Sequence, residues 1–197
     1  MYTQDDFSVS NSQISYGLSR TYNSKNSFTG MFGSGWSDSY HKDLYLKSSD
    51  AYVLDSDGSV LAFIKQDDGS FSCEETKEYT LVKNSDLSYT MTSNDMVVYK
   101  FTRYGQLEYI EEPNGCKIVN TYDRYGRLKK VTSYSVLTEG EAAEADGNSL
   151  TFTYSEADNK LQKVTDLNGN SYGCTYSDDL LTAFTVTDGS DSSNSVT

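Results

Sequence analysis

The chain has 197 residues, of which 36% are hydrophobic and 13% aromatic, with 17 tyrosines among them. This aromatic content argues against a disordered chain, no apolar run reaches the ~18 residues of a membrane span, and no basic-then-apolar signal segment opens the sequence. The formal net charge of −13 disfavours nucleic acid or anionic membrane as a partner. One ordinary domain or two small ones are expected.

The first half of the chain shows strand patterns without helical periodicity. Residues 1–48 form a charge-neutral opening segment, and residues 49–97 alternate apolar and polar positions, as in Tyr79–Lys83. Six of the 14 glycines follow Asp or Asn, as in Asp57-Gly58 and Asp68-Gly69. Both residues of such a pair tolerate positive φ, so we predict tight two-residue hairpin turns and an all-β, antiparallel meander.

The second half, residues 98–189, repeats one pattern about four times: an aromatic residue, a turn and a leucine. The units run from Phe101 to Leu107, from Tyr122 to Leu128, from Tyr154 to Leu161 and from Tyr176 to Leu181. An apolar residue follows each leucine at the third position: Ile110, Val131, Val164 and Phe184. Each unit is predicted to be a hairpin, and the leucines of the four hairpins are predicted to occupy matching positions on one shared face.

Two segments depart from the repeat. The step from Tyr122 to Tyr154 is about 11 residues longer than the others, which predicts an inserted loop at about 137–147. Asn194–Thr197 has the same shape as the start of the strand before Tyr154. Residues 190–197 are therefore the start of a further, truncated repeat, or a flexible Ser-rich tail.

The sequence contains few of the residues and motifs that catalysis requires. His41 is the single histidine, and no nucleophile motif surrounds Cys73, Cys116 or Cys174, which we expect to be unpaired thiols. Asp55–Gly58 fails as a calcium loop, because the first and twelfth positions would be Val53 and Ile64. We expect no enzyme activity, no metal site and no cofactor.

The segment Thr121–Thr132 resembles the YD repeat of Rhs proteins. Its motif residues are Tyr122, Asp123, Gly126, Arg127 and Leu128, and the preceding unit retains Gly105 and Leu107 after Phe101. The opening segment is similar to the module that precedes such repeats, through Arg20, Tyr22, Asn23, Phe32, Gly33, Gly35 and Trp36. The resemblance covers about residues 16–189.

This resemblance implies a curved or spiral strip of antiparallel sheet, part of a shell wall that encloses or presents a C-terminal toxin or effector. It also implies a secreted or cell-surface protein whose partners are the remaining repeats and the C-terminal domain of its own full-length chain. The Asp-Pro segment of Rhs autoproteolysis is missing, because the single proline, Pro113, follows Glu112.

Two further expectations concern surfaces. Arg127 can lie across the Tyr122 ring and pair with Asp123. Unpaired strand edges would promote dimerisation unless residues 1–48 cover one of them. The alternative function is a carbohydrate-binding or adhesion module that uses exposed tyrosines and Trp36.

Overall fold

The computed structural model describes residues 1–10, 15–25, 29–73, 76–136, 142–189 and 195–196. Every regular element within these ranges is a β-strand, and every strand pair is antiparallel, which confirms the predicted fold class. The opening segment contributes β1 (Tyr2–Ser10), β2 (Ser15–Tyr22), β3 (Thr29–Gly30), β4 (Gly33–Ser34) and β5 (Trp36–Asp38). Strands β1, β2 and β5 form one sheet in that order, and β3 pairs with β4.

A second sheet follows in chain order, consisting of β6 (Asp43–Lys47), β7 (Asp50–Leu54), β8 (Val60–Lys65) and β9 (Phe71–Cys73). The rest of the described chain forms one sheet in which the strands lie in chain order. Its strands are β10 (Tyr79–Lys83), β11 (Tyr89–Ser93), β12 (Val98–Phe101), β13 (Leu107–Glu111), β14 (Lys117–Tyr122), β15 (Leu128–Ser135), β16 (Glu144–Tyr154), β17 (Leu161–Thr165), β18 (Ser171–Ser177), β19 (Leu180–Thr187) and β20 (Ser195–Val196).

The strand register confirms the repeat alignment. In each repeat hairpin the aromatic residue lies opposite the leucine, with a register shift just before the aromatic residue. The pairs are Phe101 with Leu107, Tyr122 with Leu128, Tyr154 with Leu161, and Tyr176 with Leu181. The first three leucines are buried and Leu181 is partly buried, so the four occupy equivalent places on successive hairpins.

Most Asp-Gly and Asn-Gly turns differ from the predicted two-residue type. Asp55 N donates to Ser59 O (2.8 Å) and Gly58 N donates to Asp55 O (2.9 Å), which encloses a three-residue loop with Gly58 at φ +83°. Asp57 does not take positive φ; its carboxylate instead accepts from Ser59 N at 2.8 Å. A type I turn followed by a left-handed glycine bulge has this geometry. The prediction of two-residue turns was therefore wrong for these pairs.

Two hydrophobic clusters hold the described strands together. In one, Tyr16 and Leu18 of β2 pack with Val131, Leu150 and Val164 of the large sheet. In the other, Ala51, Val53 and Phe63 of the four-stranded sheet pack with Leu81, Met91, Phe101 and Leu107. Each small sheet thus buries its apolar face against a different part of the large one, since neither could bury that face alone.

The inserted segment is shorter than predicted at its C-terminal end. Residues 144–147 belong to β16, where Glu144 pairs with Ser135 and Ala145 with Tyr134. The Asp146 carboxylate accepts hydrogen bonds from Ser133 Oγ (2.6 Å) and Ser135 Oγ (2.8 Å), which fixes this end of the strand. Residues 137–141 lie outside the described part of the chain.

The predicted terminal segment 190–197 is described only at Ser195 and Val196, which pair with Thr187 and Val186 of β19. Residues 190–194 and 197 lie outside the described ranges.

Candidate functional site

The turns within the four repeat hairpins form one row, called here the turn row: residues 102–106, 123–127, 155–160 and 178–179. Side chains link successive turns. Gln106 Nε2 donates to Gly126 O at 2.9 Å, and Arg127 Nη1 donates to Asn159 Oδ1 at 3.0 Å. The next link is a hydrogen bond from Lys160 Nζ to Asp178 O.

The second turn shows what the Tyr-Asp and Gly-Arg motif residues do. Asp123 Oδ1 accepts from Tyr125 N (2.8 Å) and Arg127 N (3.0 Å), and Gly126 takes φ +79°. Arg127 Nε donates to Asp123 Oδ2 at 2.7 Å, so the predicted pair is confirmed. Burial would raise the pKa of Asp123, but the hydrogen bonds and charge of Arg127 keep that pKa below its ordinary value.

Arg127 stacks on a different ring from the one predicted. Its guanidinium carbon lies 4.5 Å from the ring centroid of Tyr154, which belongs to the next hairpin, and 5.0 Å from that of Tyr125. The expected contact with Tyr122 is therefore corrected. Because Arg127 also reaches Asn159, it connects two repeats and does not act only within its own.

The repeat tyrosines make hydrogen bonds that the sequence did not reveal. Tyr122 OH donates to Leu107 O at 2.6 Å, and Tyr154 OH donates to Leu128 O at 2.9 Å. In both cases the acceptor is the leucine of the preceding hairpin. Burial raises the pKa of both tyrosines above its ordinary value, so the hydroxyls remain neutral donors.

The first and last repeats vary this pattern. Phe101 is fully buried and has no hydroxyl, while Thr102 takes the place of the aspartate and accepts from Gln106 N at 3.3 Å. Tyr176 OH donates instead to Met31 O of the opening segment, at 3.4 Å. The last hairpin therefore bonds to residues outside the repeat.

Arg20 connects the opening segment to the large sheet. Its Nε and Nη2 donate to the two carboxylate oxygens of Asp6, at 2.5 and 2.6 Å. Its guanidinium carbon lies 3.7 Å from the ring centroid of Phe184, and 5.6 and 5.2 Å from those of Phe32 and Trp36. The Arg20 side chain is 7% exposed and that of Asp6 is 5% exposed, so the charges are buried together.

Other opening-motif residues determine how the opening segment runs along the turn row. Gly33 has φ +98°, and a Cβ there would overlap Asp179 O, which accepts from Ser34 N at 2.9 Å. Gly35 has φ +77°, and its carbonyl accepts from Asn23 N at 2.8 Å. The Tyr22 and Trp36 ring centroids are 5.2 Å apart. Trp36 is partly buried, so it is not the exposed aromatic that the carbohydrate alternative required.

Residues 29–43 and the turn row line a cavity of about 510 Å³ that is open to solvent. Its lining includes the three repeat tyrosines Tyr122, Tyr154 and Tyr176, and its titratable groups include Asp38, His41 and Asp43, together with Asp158, Lys160 and Asp179. Asp38 is 2% exposed; its Oδ1 accepts from Tyr40 N at 2.9 Å. Burial raises the pKa of Asp38 to about 7, opposed by the Tyr40 hydrogen bond and reinforced by the charge of Asp43.

His41 also lines this cavity, and its Nε2 is 3.8 Å from Asp43 Oδ2. Burial lowers the pKa of His41, while Asp43 and Asp55 act in the opposite direction. In the described ranges no group of three or more His, Cys, Asp or Glu side chains could hold a metal ion. Cys73, Cys116 and Cys174 form no disulfide with one another, and Cys174 packs against the core as expected. None of the described residues forms a helix long and apolar enough to cross a membrane.

Comparisons with known proteins match parts of the chain. Residues 1–63 match the model of a family described as a domain of unknown function, DUF6531. A stretch of 125 residues, 64% of the chain, is 27% identical to the tRNA nuclease WapA of Bacillus subtilis strain 168. The tRNA3(Ser)-specific nuclease WapA of Bacillus spizizenii is 26% identical over the same length. The matched stretch makes up 5% of each relative, so the likeness concerns a short segment of those proteins.

Proposed function

We propose that the chain is a non-catalytic structural segment of a larger, secreted or surface-associated Rhs/YD-repeat protein. Its hairpins would form part of the wall of a β-shell that encloses or presents a C-terminal toxin or effector. The observation that carries this proposal is the hydrogen bond from Tyr122 and Tyr154 to the leucine carbonyl of the preceding hairpin. Such bonds make the second and third repeat hairpins each depend on the preceding one, as expected of a wall and not of separate modules.

The proposed partners are further repeats and the C-terminal domain of the same full-length protein. Strands β10 and β20 end the strand order of the large sheet, and a strand at an edge presents backbone groups for pairing. Pairing between two copies of the chain is a second use of such an edge. The DUF6531 match and the distant likeness to WapA both support a place in a long protein.

Electron microscopy of the full-length protein that carries this segment tests the proposal. We expect a hollow particle in which residues 79–187 lie within one continuous sheet of the wall. Separate domains connected by linkers would contradict it. Point substitutions at Tyr122 and Tyr154 to phenylalanine should loosen the wall locally, which limited proteolysis would detect as cleavage near the turn row.

A nuclease assay tests the non-catalytic part of the proposal. The relatives are named for tRNA cleavage, but the matched stretch makes up 5% of their length. We propose that this segment neither cleaves tRNA nor binds a cofactor. We expect the purified chain to leave tRNA intact. Cleavage that co-purifies with the chain and is lost in His41→Ala would overturn the structural assignment.

A carbohydrate-binding surface remains the second candidate, because two tyrosines at equivalent turn positions are exposed. Tyr104 is 75% exposed and Tyr125 is 63% exposed, and each hydroxyl accepts from the preceding arginine at 2.6 Å. Glycan-array binding that disappears in Tyr104→Ala/Tyr125→Ala and persists in Tyr2→Ala would favour this function. If the chain binds no glycan on the array, the structural role in a shell wall is the better proposal.

A further inference from the structure

The cavity between residues 29–43 and the turn row has the dimensions of a small-ligand site. Its volume of about 510 Å³ falls within the range of ~300–1,000 Å³ for such sites. The rings of Tyr122, Tyr154 and Tyr176 supply apolar lining. The side chains of Asp38 and Asp43 bring two carboxylates to the same cavity.

The arginine and the lysine of the lining already form ion pairs with other carboxylates, and one of these, Asp179, also lines the cavity. Arg127 Nη2 lies 2.6 Å from Asp123 Oδ2, and Lys160 Nζ lies 3.4 Å from Asp179 Oδ1. Neither forms an ion pair with Asp38 in the described part of the chain. Above about pH 7, where Asp38 is ionised, this leaves the cavity negative near Asp38 and Asp43, although His41 Nε2 lies 3.8 Å from Asp43 Oδ2.

Asp38 is the group that most needs a partner. One of its oxygens accepts from Tyr40 N, while Oδ2 is buried and has no hydrogen-bond partner among the described residues. A buried carboxylate oxygen without a donor costs free energy, and a donor that carries positive charge compensates best. Asp43 has a side chain that is 53% exposed, so it can meet a ligand that enters from solvent.

We propose that this cavity binds an organic ammonium group, with Asp38 and Asp43 as its counter-charges and the tyrosine rings around its aliphatic portion. The ligand is either a lysine side chain of a partner protein or a free polyamine, since both present an alkylammonium. An ammonium suits the site better than a metal ion, because the described residues hold no cluster of three metal-ligating side chains.

Isothermal titration of the 197-residue chain at pH 8 tests this proposal with three probes: Nα-acetyl-lysine amide, spermidine and the neutral Nα-acetyl-norleucine amide. We expect both cationic probes to bind and the neutral probe not to bind. Tighter binding of the lysine amide identifies a protein side chain as the source, and tighter binding of spermidine identifies a free polyamine. Equal binding of the neutral probe, or no binding of either cation, overturns the proposal.

Asp38→Asn and Asp43→Asn should each weaken binding at least tenfold, while Asp67→Asn, a change at an exposed turn tip, should leave it unchanged. Asp43 is exposed, so its variant tests the site even if Asp38→Asn alters the fold. Binding to the wild type should also weaken between pH 8 and pH 5, as Asp38 takes up a proton, and this pH dependence should shrink in Asp38→Asn. Wild-type affinity in both variants would contradict the assignment.

Discussion

The hydroxyl groups of Tyr122 and Tyr154 have a role that packing alone does not explain. Each tyrosine lies partly buried opposite a leucine of its own hairpin, but its hydroxyl donates to the leucine carbonyl of the preceding hairpin. A phenylalanine could fill the same space without making this bond. At the first repeat, Phe101 is fully buried and does so.

Tyr154→Phe should therefore destabilise the chain by about 0.5–1.5 kcal/mol, the usual net contribution of one hydrogen bond. The matched control is Tyr125→Phe, whose exposed hydroxyl contacts Arg124, and which we expect to change stability by less than ~0.5 kcal/mol. The free energy of unfolding in urea measures both. Equal losses in the two variants would mean that the inter-hairpin bond contributes nothing specific.

Asp38 gives the stability of the chain a pH dependence whose sign can be stated. Burial raises its pKa from 3.8 to about 7, so between these values the folded chain holds a proton that the unfolded chain releases. Stability from this group is thus fully present below pH ~4 and is lost as the pH rises through about 7. The neighbouring Tyr40, Tyr122 and Tyr154 stay neutral over this range, because burial raises their pKa.

Asp38→Asn should be more stable than the wild type at pH 8, with a difference on the order of a few kcal/mol that shrinks towards pH 5. Burial lowers the pKa of His41, so His41 changes stability with pH in the opposite direction. This contribution is present in both proteins and cancels when their unfolding free energies are subtracted. Urea unfolding at pH 5, 6, 7 and 8 provides the measurement, with Asp67→Asn as control. A difference independent of pH would show that Asp38 is ionised in both states.

At the scale of the hairpin, the inward leucines carry the packing. Leu128 is 7% exposed and belongs to the same core as Val131 and Leu161. Leu128→Ala should cost about 2–5 kcal/mol, the range for truncation of a buried leucine. Leu180→Ala is the matched control, since Leu180 is 54% exposed, and should cost less than ~1 kcal/mol. A loss below ~0.5 kcal/mol at Leu128 in thermal or urea unfolding would contradict its place in the core.

The pairing of strands could be predicted from the sequence because the repeat constrains it. Once Tyr122 and Leu128 are aligned with Tyr154 and Leu161, the period of two along each strand places the remaining side chains. Turn type was harder to infer, because an Asp-Gly pair suits both a two-residue loop and a three-residue loop with a glycine bulge. The hydrogen bond that Ser59 N donates to the Asp57 carboxylate accompanies the second type here, and it cannot be inferred from composition.

The candidate site was less predictable, because it is built from contacts between distant segments. Arg20 was recognised as a motif residue, but its partner Asp6 lies on the adjacent strand at a register shift, between Asp5 and Phe7, that the sequence does not mark. Arg127 stacks on Tyr154, 27 positions later, because the next hairpin offers its ring there. The buried Asp38 looks in sequence like any other acidic residue of a strongly acidic chain, and only its surroundings distinguish it.

At the scale of the whole molecule, the opening segment lies over the large sheet and along its turn row. Tyr16 and Leu18 pack on the face of the sheet, while Ser34 and Leu44 donate backbone hydrogen bonds to turn carbonyls at Asp179 and Gly105. The sequence suggested that residues 1–48 cover a sheet edge; the observed contacts are with a face and with turns. This arrangement requires small residues where the backbone of the opening segment meets the backbone of the turn row.

A comparison of Gly105 with Gly126 distinguishes the close contact with the opening segment from the strain of the turn itself. Both occupy the same position in successive turns, at φ +86° and +79°, so alanine at either pays a similar conformational cost of about 1 kcal/mol or more. A Cβ at Gly105 would also overlap the Leu44 carbonyl oxygen, whereas at Gly126 its nearest neighbour is the flexible Gln106 side chain at 3.3 Å. The two variants therefore differ mainly in the contact with the opening segment.

We expect Gly105→Ala to destabilise the chain by at least ~1 kcal/mol more than Gly126→Ala, because the backbone of Leu44 must move away and lose its hydrogen bond to Gly105 O. Urea unfolding gives the two energies, and hydrogen exchange at the Leu44 amide shows where the excess arises. That amide should lose protection in Gly105→Ala and keep it in Gly126→Ala. Equal unfolding energies with an unchanged Leu44 amide would show that the opening segment does not depend on the turn row for its position.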